Sequence, residues 1–175
     1  MAGLQTLHPM VVHFPIALLS LYALLEVISL HPRLKYNTSL AYTKMFLLFA
    51  GTVSAMVATS TWEGAEHQLG ESTLIDRHAF YSEMARNAFV ILSIIYLVKI
   101  IFQSQQTIIR SLHLPQQFVS GIAVLLSRVS RLYVPVILAC IWLFLITIAG
   151  ALGGAIVHWA GIDPVVQWVV NNFAS

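Results

Sequence analysis

From Tyr133 to Trp159 the chain carries no Asp, Glu, Lys or Arg, a run longer than the roughly 20 residues needed to cross a bilayer as a helix. Backbone polar groups cannot be left bare in hydrocarbon, so a run of this length commits the segment to helix and the chain to a membrane. Three further stretches suit the same role: 9–30, 43–61 and 84–102. The second is rich in small residues. Ala50, Ser54 and Ala58 recur every four positions, with Gly51 and Ala55 beside them, a pattern that lets helices approach closely. The predicted fold is an all-α membrane protein, a four-transmembrane-helix bundle forming one domain over residues 1–175.

Composition agrees with this reading. Charged residues make up 9% of the chain, against about 25% in soluble domains. The first apolar run passes directly into "HPRLK" with no small-residue cleavage site, so it is expected to be retained as a span. Two shorter segments are expected to lie at the interface. Residues 118–132 mix Ser120, Arg128 and Arg131 with apolar side chains. Residues 163–173 offer Asp163 as a cap, Pro164 at the first helical position and Trp168 at headgroup level. A partner-contact face is the alternative for both.

Four spans place both termini on one side. The connections at 31–42 and 103–132 then share the other side with Arg33, Lys35, Lys44, Lys99, Arg110, Arg128 and Arg131, leaving Arg77 and Arg86 opposite. The positive-inside rule puts the basic side in the cytoplasm. The expected setting is a bacterial inner membrane with periplasmic termini. The lipid bilayer is the expected surrounding, a periplasmic redox protein or a second copy the expected partner. A net charge of +2 gives no case for nucleic acid.

Five of the seven histidines fall at the periplasmic end: His8, His13, His67, His78 and His158. His13 lies about one turn inside the first span, where an imidazole needs a partner. Pro9 suits the first helical turn, and Pro15 is early enough to bend the helix rather than stop it. His158 follows Gly150, Ala151, Gly154 and Ala155 on one helical face, a groove that fits another helix or a flat macrocycle. His78 opens the third span, with Arg86 two turns on. Arg86 needs an anion, either Glu83 or Glu63, or a haem propionate. His67 follows Glu63 by four positions and could share a helical face with it. Against each of these stands the ordinary reading, a ring bonded to a nearby carbonyl, water or headgroup.

"LHPMVVHFPIAL" at the first span, the histidine entering the third, and "GGAIVHWAGI" closing the fourth resemble a bacterial membrane family called domain of unknown function 2231. The resemblance covers about 7–162. It implies a four-helix membrane domain in a redox setting, since family members are sometimes joined to Rieske-type or cytochrome c domains. His8, His13 and His78 match the family's positions. The closing segment departs, with His158 four places past Gly154 and Ala160 near the usual histidine place.

Three functions are compatible with these residues. The first is electron transfer through haem b, whose iron takes two neutral imidazoles from different helices. His13, His78 and His158 offer such pairs, with Arg86, Gly150 and Gly154 around the ring. The second is a non-haem zinc, copper or iron site built from His8, His13, His67, His78 and His158. The third is a structural or assembly subunit with no cofactor. An electron carrier or redox subunit is favoured over a stand-alone enzyme, because nucleophile and phosphate-loop motifs are absent.

Overall fold

The computed structural model describes residues 8–69, 72–104, 121, 124–125, 133–158 and 163–174, leaving aside the side chains of Pro9, 63–69, Lys99 and 102–104. Helix α1 is His8–Val11 and α2 is His13–Ile28. Between them Val12 keeps helical dihedrals, and its N–H still bonds the His8 carbonyl. Pro15 supplies no N–H to the turn before it, so one ladder bond is missing there while the helix carries on.

The turn over 31–37 ends at Asn37, whose side chain accepts from Leu40 N–H and starts α3, Thr38–Leu69. Ser72 plays the same part for α4, Thr73–Ser104. Helix α5, Tyr133–His158, matches the span expected from the sequence to within a residue. Helix α6, Pro164–Phe173, starts as expected: Asp163 accepts from the N–H groups of Val165 and Val166, and proline holds the first position. The expected segment 118–132 lies almost wholly outside the described residues.

The long helices close a ring: α2 packs on α3 and α5, and α4 packs on the same two. The core is Leu19, Tyr22 and Ala23 from α2, Leu48 and Ala55 from α3, Phe89 and Leu92 from α4, and Ala139, Trp142 and Leu145 from α5. Phe89 stands edge-on to both Tyr22 and Trp142, an arrangement favoured by the ring quadrupoles. Gly51 lets α2 and α3 meet, for a Cβ there would fall 2.5 Å from Leu19 Cδ2. The small-residue face of α3 is therefore a packing face, with Gly51, Ala55 and Ala58 buried. Ala50 and Ser54 border an open apolar groove beside Phe14, Phe46 and Phe49.

The outside of the ring is as apolar as the inside. Phe46, Ile91, Ile94, Ile137 and Phe144 are all exposed, a distribution suited to lipid rather than water. Among the described residues, three helical stretches are long and apolar enough to cross a membrane: Thr38–Trp62, Thr73–Val98 and Tyr133–His158. The second begins eleven residues before the start expected from the sequence, at 84, because the polar segment around Asp76–Glu83 is helical as well. Helix α2 is apolar but has 16 residues, short of a full crossing on its own. Helix α6 lays Val169, Val170 and Phe173 on Leu74, Tyr81, Ile148 and Leu152, leaving Val165 and Trp168 exposed.

Candidate functional site

The start of α1, the end of the spanning part of α3, the start of α4 and the last turns of α5 lie at one end of the ring. His8, on α1, reaches across to α3. Its Nδ1 lies 3.1 Å from the Ala58 carbonyl and 3.0 Å from Thr61 Oγ1. A carbonyl only accepts, so Nδ1 carries the proton and Nε2 keeps a free lone pair. Thr61 donates its own hydroxyl proton to the same carbonyl at 2.7 Å, which leaves its oxygen to accept from the ring.

His78 repeats the arrangement on the other side. Its Nδ1 donates to the Ala149 carbonyl of α5 at 2.8 Å, again freeing Nε2. The approach depends on Gly153, where an added Cβ would fall 2.9 Å from His78 Cε1. Trp62 joins the two rings, with centroids 5.2 Å from His8 and 4.7 Å from His78. Its Nε1–H is buried and has no partner. The site thus holds one orphan donor and two unshared imidazole lone pairs. Burial pushes His8 below the usual histidine range, outweighing the opposite effect of the Ala58 bond.

The remaining candidates from the sequence are placed differently. His13 and His158 are exposed on the outer surface rather than turned into the bundle. Gly150 and Gly154 do form a bare stripe below His158, but a Cβ at either would meet nothing within 4 Å, so the stripe opens outward. Arg86 has protein partners: Thr59 Oγ1 at 3.2 Å, Asn87 Oδ1 at 3.1 Å and the Glu83 carboxylate at 3.9 Å. The His67 and Glu63 side chains lie outside the described residues. Among the described residues, no group of three or more His, Cys, Asp or Glu could hold a metal ion.

Sequence reasoning passed over Gly153, although the glycine pair was in view. The carbonyls of Ala58 and Ala149 leave no signal in the sequence at all.

A ring of long helices with a lipid-compatible exterior defines an integral membrane protein of the all-helical class. The chain belongs to the family described as "Predicted membrane protein (DUF2231)", whose pattern it matches over residues 4–165. No curated protein and no solved structure matches it.

Proposed function

We propose that this chain is a four-span inner-membrane electron carrier that holds haem b through His8 and His78, near the periplasmic surface. The carrying observation is the paired tautomer: both rings give Nδ1–H to a main-chain carbonyl and leave Nε2 bare. Metal-ligating histidines are ordinarily fixed this way. His8 and His78, on different helices, would hold the iron of a b-type haem, which needs two imidazoles, whereas zinc takes three or four protein ligands. When bound, the haem would supply reversible one-electron exchange.

The donor chemistry fits, and Trp62 packs against both imidazoles, its ring centroid 5.2 Å from His8 and 4.7 Å from His78. A macrocycle on both histidines would have to displace the indole from these contacts. That same observation favours a second reading, a single copper or iron ion that leaves Trp62 in place. The four-span count is supported by the helical run from His8 to Ile28, about 31 Å long, enough for one crossing when α1 and α2 act together. The basic residues of the 31–37 turn support cytoplasmic placement of that end, with both termini and the histidines in the periplasm. A periplasmic redox protein is the expected partner.

The test is the visible spectrum of the detergent-purified protein, oxidised and then reduced with dithionite, with metal analysis of the same sample. A Soret band lost in His8→Ala and His78→Ala but kept in His13→Ala and His158→Ala is the expected result. A stoichiometric metal without a Soret band would establish the second reading. A colourless, metal-free protein from haem-replete cells would overturn both.

A further inference from the structure

The outer groove between α3 and α4 carries a pair of opposite charges on the exterior of the ring. Arg86 of α4 reaches across to α3, where its Nη1 donates to Thr59 Oγ1 at 3.2 Å. Thr59 gives its own proton to the Met56 carbonyl at 3.0 Å, so its oxygen is left to accept. Arg86 Nε donates to Asn87 Oδ1 at 3.1 Å, which leaves the Asn87 amide N–H groups to donate elsewhere. These bonds hold the guanidinium in place but use only two of its five N–H groups. The others have no hydrogen-bond partner among the described residues.

Depth and charge say what the spare donors suit. Thr59 is three residues short of Trp62, where the apolar stretch of α3 ends, or about 4.5 Å along the helix. The guanidinium therefore lies near the boundary between hydrocarbon and headgroups, where it needs an anion. Glu83, one turn nearer the histidine end, has its Oε1 3.9 Å from Arg86 Nη2. That is too long for a hydrogen bond, and Glu83 is 61% exposed against 27% for Arg86, so the pair contributes little by itself. The groove thus presents a half-buried cation below an open carboxylate. Deeper on the same helix faces follow Met56 and Ile94, both exposed, and the half-buried Val90.

We propose that this groove binds a zwitterionic phospholipid bearing a primary ammonium, of the phosphatidylethanolamine class, in the leaflet at the histidine end. In such a lipid the phosphate lies next to the acyl chains and the ammonium at the far end of the headgroup. The charges of the groove run in the complementary order. Arg86 and Asn87 donate to the phosphate oxygens, Glu83 accepts from the ammonium, and an acyl chain runs down past Met56, Val90 and Ile94. A guanidinium suits a phosphate because its fork gives two parallel N–H bonds. Glu83 sets the selectivity. It repels a headgroup of net negative charge, and a quaternary ammonium has no N–H to give it. Neither imidazole takes part, so the site is independent of what the histidines hold.

Native mass spectrometry of the delipidated protein in detergent tests the site, with phosphatidylethanolamine, phosphatidylcholine and phosphatidylglycerol of identical acyl chains added in turn. Phosphatidylethanolamine should bind at least about threefold more tightly than either of the others. Arg86→Gln should weaken its binding about tenfold, the loss expected for a hydrogen bond to a charged group. Glu83→Gln alters an exposed side chain and leaves the packing intact. It should bring phosphatidylethanolamine down to the phosphatidylcholine level and raise phosphatidylglycerol. A merely structural Arg86–Glu83 pair predicts the same order of the three lipids with and without Glu83. The proposal fails if Glu83→Gln keeps that order, if phosphatidylglycerol binds tightest to the unmodified protein, or if Arg86→Gln binds as well as the unmodified protein. It fails too if inorganic phosphate displaces the lipid, which would mark a site for the free anion.

Discussion

The two ends of this bundle solve one problem in different ways. At the histidine end, neutral rings on α1 and α4 are tied to main-chain carbonyls of α3 and α5, and no ion pair is needed. At the 31–37 end, the Glu26 carboxyl on α2 meets Lys44 Nζ on α3 at 2.9 Å. A helix carbonyl is fixed by its own helix, so a side chain bonded to it is held in one orientation with its second nitrogen free. A side-chain ion pair has two mobile partners and depends on both being present. One end holds a ring still; the other depends on two side chains staying together.

That contrast predicts unequal costs. Glu26→Ala leaves Lys44 uncompensated in a buried site, and should destabilise by about 3–5 kcal/mol in detergent unfolding. The double variant Glu26→Gln/Lys44→Met should recover most of that loss. If the double variant is as unstable as the single, the charges are not what the region depends on.

At the histidine end the sharpest change is not to a histidine. Gly153→Ala places a methyl against His78 and should cost about 1–3 kcal/mol as α4 and α5 separate. Gly154→Ala, facing open space one residue on, should cost nothing by packing, and the added helix propensity favours it. Equal effects at the two positions would mean that α5 is rotated from the orientation described.

The third effect is pH dependence. Burial lowers His8 in the folded protein, so the unfolded chain takes up the proton first, and stability falls as pH drops through about 6.5. Stability measured at pH 7.5 and 5.5 should show this slope, and His8→Ala should remove its share. Smallest, Asp163→Ala removes the cap of α6 and should cost about 1 kcal/mol, read as faster amide exchange at Val165 and Val166 with the histidine site unchanged.

How far the sequence carries can be judged from neighbouring residues. Asp163 and Pro164 announced the start of α6 because capping is local, involving groups within three positions. The bounds of α5 were legible for a related reason, since an uninterrupted apolar run has one way to satisfy its backbone in lipid. The histidines were harder. His13 looked better placed than His8 because it lies deeper along the chain, yet it is exposed while His8 reaches α3. The glycines show why. Gly150 and Gly154 make the regular four-residue stripe, but the glycine against His78 is Gly153. One residue is about 100° of rotation on a helix. When a helix is apolar on almost every face, as α2 and α5 are, periodicity does not say which face turns inward.

The sequence by itself determined the membrane setting, the long apolar helical runs and the cap of α6. Those follow from hydrophobicity and from hydrogen bonds reaching three or four residues along one chain. Only the tertiary structure decided that His8 and His78 share Trp62 and that Glu26 meets Lys44. These depend on how each helix is turned about its axis. That rotation is set by close contacts between helices, Gly51 on Leu19 and Gly153 on His78, which no local pattern encodes.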